Sequence, residues 1–280
     1  MKKVALIINT TKDKNLSVSL SVCRKLIELG LTVYVENELF YALEKAGNAL
    51  IPYEDFPNDA ELIIVVGGDG SVIDASNRAV ENDIPIIAVN LGKVGYLSEI
   101  DPENINALDK LADGEYNVEH KMLLVTDKCR DRFAVNDVVI TRKGSLGVGC
   151  FKVEDSLGNS VKYRADGLIV STPQGSTAYS LSAGGPIVAH NVDSILLTPV
   201  APHSFFNRSV LFNALDVLKI TNIGDGDMSI SIDGRCIGIL SEGASCSVSK
   251  ADKRLKMITF SENKMFSRLF KKMRILEDIT

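Results

Sequence analysis

Apolar positions in the first part of the chain switch repeatedly between strand-like and helix-like spacing. Val4–Thr10 opens as a continuous apolar run, which suits a parallel strand buried on both faces. Asn15–Leu29 then places Leu16, Leu20, Cys23, Leu26 and Ile27 at helical intervals, and Gly30 supplies a C-terminal stop. Thr32–Glu36 reads as a second strand and Leu39–Ala46 as a short helix ending at Gly47. Leu62–Val66 is a third strand and runs directly into Gly67-Gly68-Asp69-Gly70, after which a helix is predicted from near Ser71. Ile84–Val89 gives a fourth strand before Asn90-Leu91-Gly92, and Pro102–Ala112 a closing helix. Such alternation predicts an α/β domain with a doubly wound, mostly parallel sheet over residues 1–115.

Beyond Gly114 the period shortens. Val118–Thr126, Phe133–Arg142, Gly149–Glu154, Leu168–Thr172, Val217–Asn222, Met228–Ile232, Ser245–Ser249 and Lys256–Phe260 are short β-rich runs. Turn signals such as Leu157-Gly158-Asn159 and Gly224-Asp225-Gly226-Asp227 separate them. They predict a mostly-β domain over residues 116–262. Residues 263–280 return to helical spacing through Met265, Phe266, Leu269, Phe270 and Met273, and predict a helical tail packing back on the body. No repeat or flexible linker intervenes, so the expected boundary is a packed crossing with a cleft beside it.

Composition narrows the class. The chain has 280 residues, 45% hydrophobic and 24% charged, as ordinary globular proteins do. A net charge of −5 argues against a nucleic-acid partner, although a ligand with several phosphates would still need a local basic patch. The five cysteines are scattered without a CxxC pair, which suggests free thiols in a reducing cytoplasm rather than disulfides or structural zinc. The basic-then-apolar start is too short for a signal peptide, and no apolar stretch approaches the roughly 20 residues of a membrane span. The expectation is a cytoplasmic protein with no membrane contact.

Two runs carry chemistry. Gly67–Gly70 lies at the carboxyl end of a buried strand, where ligands bind in open α/β sheets. Its glycines let the backbone approach a phosphate closely, and the following helix directs its partially positive N-terminus at the same place. Asp69 fits there if it holds Mg²⁺ or takes a proton from an attacking hydroxyl; alternatively it only caps the helix. The second run is Asp166–Pro186, with Thr172-Pro173-Gln174-Gly175-Ser176-Thr177-Ala178-Tyr179-Ser180-Leu181-Ser182 at its centre. It reads as strand, turn and short helix, with hydroxyls and amides suited to a ribose or phosphate and the Tyr179 ring to a base. His203 suits a structural hydrogen bond, and His120 and His190 are read as incidental to the chemistry. No GxxxxGK[ST], HExxH or GxSxG motif occurs.

Together with Asn136-Asp137 and Asn90-Leu91-Gly92-Lys93-Val94-Gly95-Tyr96-Leu97, these runs resemble the NAD kinase family over nearly the whole chain. The resemblance implies a two-domain fold and Mg²⁺-dependent transfer of phosphate from ATP, or polyphosphate in some members, to the 2′-hydroxyl of the adenosine ribose of NAD, giving NADP. It implies that Asp69 is the base or metal-organising carboxylate and that Gly70 lines the phosphate loop. Asn136 and Asp137 would contact the adenosine, Arg164 and Asp166 the nicotinamide side, and Thr177, Ala178, Tyr179, Ser180, Leu181 and Ser182 the adenine and ribose. A homodimer or homotetramer is implied as well. Three positions depart from the family pattern: Asp74 stands where a basic residue is common, Gln174 where the family has Thr, and Arg235 where it has Gln. The Gly-Gly-Asp-Gly run is shared with lipid and sphingoid kinases, which form one alternative; a dinucleotide sensor without turnover forms another.

Overall fold

In the computed structural model, which describes residues 2–92, 95–144 and 148–260, the apolar runs of the first part become parallel strands. These are β1 (Lys3–Ile8), β2 (Thr32–Glu36), β3 (Leu50–Tyr53), β4 (Leu62–Gly67) and β5 (Ile86–Asn90), hydrogen-bonded in the order β3-β2-β1-β4-β5. Helices α1 (Ser17–Glu28), α2 (Asn37–Leu43) and α3 (Asp69–Glu81) connect them. α1 buries Val22, Cys23 and Leu26, and α3 buries Val72, Ala75, Ala79 and Val80. Every residue of β4 is buried, as expected for a central strand covered on both faces. The strand order reverses direction between β1 and β4, so the crevice at their carboxyl ends is where this topology admits a ligand. Burial pushes the Cys23 thiol up to about 12, which marks it as packing material.

Local chemistry explains the differences from the expected elements. β3 escapes the sequence reading because Pro52 interrupts it, and proline is tolerated there because β3 is an edge strand. The closing helix is instead a 3-10 turn over Pro102–Leu108 followed by α4 (Asp109–Asp113), since Asn104 leaves helical dihedrals. α3 starts at Asp69 rather than near Ser71, which puts the aspartate inside its first turn.

The chain divides into two units. One holds the residues up to His120 together with the described residues after Arg254, and the other is Lys121–Arg254. β6 (Asn117–Lys121) ends the first sheet. The second unit is built from β7 (Leu124–Thr126), β8 (Cys129–Ala134), β9 (Asp137–Arg142), β10 (Gly149–Glu154), β11 (Ser160–Ala165), β12 (Gly167–Ser171), α5 (Tyr179–Ser182), β13 (Ser194–Val200), β14 (Val210–Asn213), β15 (Val217–Asn222), β16 (Met228–Ile232), β17 (Arg235–Leu240) and β18 (Ser245–Lys250). Two six-stranded sheets form, β11-β10-β15-β18-β7-β8 and β14-β13-β12-β9-β16-β17. Alternate residues of both, among them Phe151, Tyr163 and Ile220 from one and Val138, Leu168 and Ile230 from the other, pack into a single apolar core.

Two long runs prove to be two strands each. Val118–Thr126 breaks into β6 and β7, and Phe133–Arg142 into β8 and β9, with the halves in different sheets. The last strand, β19 (Leu255–Thr259), was expected with the β-rich part, but it pairs in parallel with β5, Met257 opposite Ile86. An apolar strand carries no mark of the sheet that takes it, so this return of the chain depends on long-range pairing. The expected helical tail at 263–280 lies outside the described residues. None of the described helices is long and apolar enough to cross a membrane.

Ile64 in the middle of β4 has no exposed surface. Ile64→Ala should therefore cost about 3 kcal/mol of stability, read as a lower urea midpoint with an unchanged slope. A loss under about 1 kcal/mol would show that β4 is not packed as described.

Candidate active site

At the crevice of the first unit, the turn between β4 and α3 is tightly packed at Gly67, while at Gly68 a lysine side chain takes the space that a Cβ would need. A Cβ at Gly67 would stand 2.5 Å from the Ser71 hydroxyl, and one at Gly68 would fall on the Lys12 ammonium. Asp69 is the first residue of α3 and half-buried. Its Oδ2 accepts the Tyr96 amide at 3.1 Å and its Oδ1 the Leu97 amide at 2.9 Å. The loop after β5 thus reaches back to orient the carboxylate, and both amides belong to the Asn90–Leu97 run. Asn90 shapes that loop, its Oδ1 accepting the Gly92 amide at 2.8 Å. Gly70 is exposed beside Asp69, and Lys93 and Val94 of the same run lie outside the described residues. Among the described residues no group of three His, Cys, Asp or Glu side chains could hold a metal unaided. One carboxylate suffices for Mg²⁺ when substrate phosphates provide further oxygen ligands.

The second unit carries a cavity of about 460 Å³ lined by Asn136, Asp137, Val139, Thr141, Ala178, Tyr179, Ser231, Asp233 and Gly234. Its floor follows from strand alternation: Val138 and Ile140 of β9 enter the core, so Asp137, Val139 and Thr141 take the other face. Beside them, Ile230 and Ile232 of β16 are likewise core, leaving Ser231 for the cavity. Asp233 and Gly234 form a two-residue turn joining β16 to β17, both with positive φ (46° and 79°), as a tight hairpin turn demands.

The Asp233 carboxylate reaches across to the break between β8 and β9. It accepts the amides of Val135 at 2.8 Å, Asn136 at 2.8 Å and Asp137 at 3.0 Å. From the other side, Thr172 donates its amide to the Asn136 carbonyl at 2.9 Å and its hydroxyl to the Val135 carbonyl at 2.7 Å. Gly175 lies so close that a Cβ there would collide with the Asn136 backbone. Burial, with the charge of Asp233 adding to it, pushes the Asp137 carboxyl up to about 7. Asp233 is also raised by its burial, against the opposing effect of its three amides.

The structure therefore brings Asn136 and Asp137 together with Ala178 and Tyr179. The remaining residues of that run divide by burial. Thr177 and Ser180 are buried, their hydroxyls engaged with the Gln174 carbonyl at 3.2 Å and the Thr198 hydroxyl at 2.8 Å. Leu181 is half-buried and Ser182 exposed. Arg164 and Asp166 are exposed at the opposite end of β12, near Thr141, where the Arg142 amide bonds the Asp166 carbonyl at 3.3 Å. His203 donates its amide to the Arg164 carbonyl at 2.7 Å, a structural contact.

Two family models match the chain: ATP-NAD kinase N-terminal domain over residues 4–116 and ATP-NAD kinase C-terminal domain over 135–260. The chain belongs to the ATP-NAD kinase family. An NAD kinase of Lachnoclostridium phytofermentans is 35% identical, the match covering 95% of this chain and 96% of that one. One from Natranaerobius thermophilus is 33% identical, with 98% of each chain covered. Among solved structures, yeast NADH kinase complexed with NADH has the same fold, with a TM-score of 0.83 at 21% identity, covering 96% of this chain and 86% of its own. So has an Archaeoglobus fulgidus NAD kinase in complex with ATP, with a TM-score of 0.73 at 23% identity, covering 97% and 98%. The activity is that of an NAD kinase, forming NADP from NAD with ATP.

Two residues of this NAD kinase escaped the sequence reading. Asp233 was legible as part of an Asp-Gly turn between Ile230, Ile232 and Ile237, Ile239. Lys12 had no local signal, because its position beside Gly68 arises only when β1 and β4 pair.

The raised Asp137 carboxyl makes stability depend on pH. Between its ordinary value of 3.8 and about 7 the folded protein keeps a proton that the unfolded chain has lost. Stability is thus greatest at the acid end of that window and falls as pH rises through it. Urea midpoints should fall less between pH 5 and pH 8 for Asp137→Asn than for the parent; equal slopes would refute this.

Proposed function

We propose that Asp69 is the catalytic carboxylate of phosphoryl transfer and that the glycine turn of the first unit receives the phosphate donor. The observation that carries this reading is the pair of amide hydrogen bonds from Tyr96 and Leu97, which hold the carboxylate in place at the start of α3. The acceptor is the 2′-hydroxyl of the adenosine ribose of NAD. Its oxygen bonds to the terminal phosphorus as the bond from that phosphorus to the ADP oxygen breaks, and its proton passes to Asp69. Phosphoryl transfer asks mainly for alignment and charge neutralisation, so one positioned carboxylate in a glycine loop meets its demands. Mg²⁺ would be held by Asp69 together with the donor's phosphates and would supply charge neutralisation when bound. Gly70, without a side chain, leaves the backbone open to those phosphates.

The adenosine of NAD is assigned to the cavity of the second unit. Asn136 and Asp137 offer polar atoms to the ribose, and Tyr179, with 42% of its surface exposed, offers a ring to the base. Ala178 lines the wall. Thr177 and Ser180 act through the buried hydrogen bonds that set the loop, with Leu181 and Ser182 completing the adenine and ribose contacts. Because the cavity runs along β9 from Asp137 to Thr141, its far end approaches Asp166 and supports the assignment of Arg164 and Asp166 to the nicotinamide side.

The enzyme is read as cytoplasmic, taking ATP or polyphosphate, with neither a nucleic-acid nor a membrane partner. A homodimer or homotetramer is supported by the exposed apolar residues Phe205, Leu211 and Leu215 around edge strand β14. Sedimentation at the monomer mass alone would overturn that assembly.

In an assay of NADP formation from NAD and Mg-ATP, Asp69→Asn should lower kcat by about 100-fold or more while NAD affinity is retained. Full turnover in that variant would remove Asp69 from the mechanism.

A further inference from the structure

The donor turn has no basic side chain at position 74, where the exposed residue on α3 is Asp74. A different element supplies the cation. Lys12 follows β1, and its Nζ occupies the space over Gly68 that a Cβ would need, 3.7 Å from where Gly92 would carry one. The ammonium therefore stands between the glycine turn after β4 and the loop after β5. Among the described residues its Nζ has neither an ion-pair nor a hydrogen-bond partner.

The placement is built. Asn9 Oδ1 accepts the Thr11 amide at 3.1 Å, the Thr11 hydroxyl at 2.7 Å and the Lys12 amide at 3.2 Å. Asn9 Nδ2 donates to the Ser71 hydroxyl in the first turn of α3 at 2.8 Å. One residue on, the buried Asp13 carboxylate accepts the Ser19 amide at 2.8 Å and hydroxyl at 2.7 Å, anchoring the loop to α1. These bonds tie the Lys12 backbone to the residues that carry Asp69. An ammonium near the positive end of a 13-residue helix is mutually repulsive with it, and an anion between them relieves both.

We propose that Lys12 binds the terminal phosphates of the donor and neutralises charge on the transferring group, the work that a basic residue at position 74 would otherwise do. This rests on the assignment of the donor to the Gly67–Gly70 turn. Lysine acts here as a point charge with three donors and takes no part in the proton transfer. Gly68 admits it because it has no side chain.

The test is steady-state kinetics of the full chain with Lys12→Ala and Lys12→Arg, varying Mg-ATP at saturating NAD and the reverse, alongside NAD titration by calorimetry. Lys12→Ala should lose about 10- to 100-fold in kcat/KM for ATP, with the KM and calorimetric Kd for NAD within about twofold of the parent. Lys12→Arg should recover part of the loss, since the charge is kept. Unchanged kcat/KM for ATP, or equal losses toward both substrates, would overturn the proposal. Full turnover in Asp69→Asn would instead refute the donor-turn reading, and the proposal with it.

Discussion

Three consecutive backbone amides, those of Val135, Asn136 and Asp137, converge on the Asp233 carboxylate. They need it because β8 has ended and β9 has only begun, so the sheet ladder leaves these groups unpaired at a largely buried place. Each buried amide left without a partner would cost about 1–3 kcal/mol. A similar device recurs in the loop after β5, with Asp69 taking the amides of Tyr96 and Leu97, and, at an exposed turn after β1, with the Asn9 side chain taking those of Thr11 and Lys12. In this NAD kinase, the groups to which the function is assigned under the proposal thus stand near where strands stop, held by short polar side chains.

Satisfying those amides has electrostatic consequences. Asp233 can accept three N–H groups only by bringing a second carboxyl close to Asp137, and burial of the pair raises both. In the first unit, Asp69 shares its turn with Gly67, where a Cβ would stand 2.5 Å from the Ser71 hydroxyl, and with Gly68, where one would displace the Lys12 ammonium. Preorganisation of this kind suits phosphoryl transfer, in which the protein contributes alignment and fixed charge more than covalent chemistry.

Much of this was legible from residue order. The buried runs of β1, β2, β4 and β5 declared themselves by continuous apolar residues, and Gly67–Gly70 by its place after one of them. Less legible was the interior of Phe133–Arg142, which reads as one strand because Val135 is as apolar as its neighbours. Only the demand of Asp233 and Thr172 on its backbone breaks it at Asn136. Likewise, the hydroxyls of Thr177 and Ser180 looked identical in kind to those free for a ligand until packing buried them.

By itself, then, the sequence determined the class of each half, the parallel sheet of the first and the β-rich second, and it singled out the two runs to which chemistry is assigned. These follow from periodicity and from residue types whose behaviour is local. Tertiary structure alone decided that β19 returns to the first sheet, that Asp233 supports Asn136 and Asp137, and that Lys12 lies over Gly68. Each of those joins residues far apart in the chain, and their proximity comes from strand pairing, which no local pattern encodes.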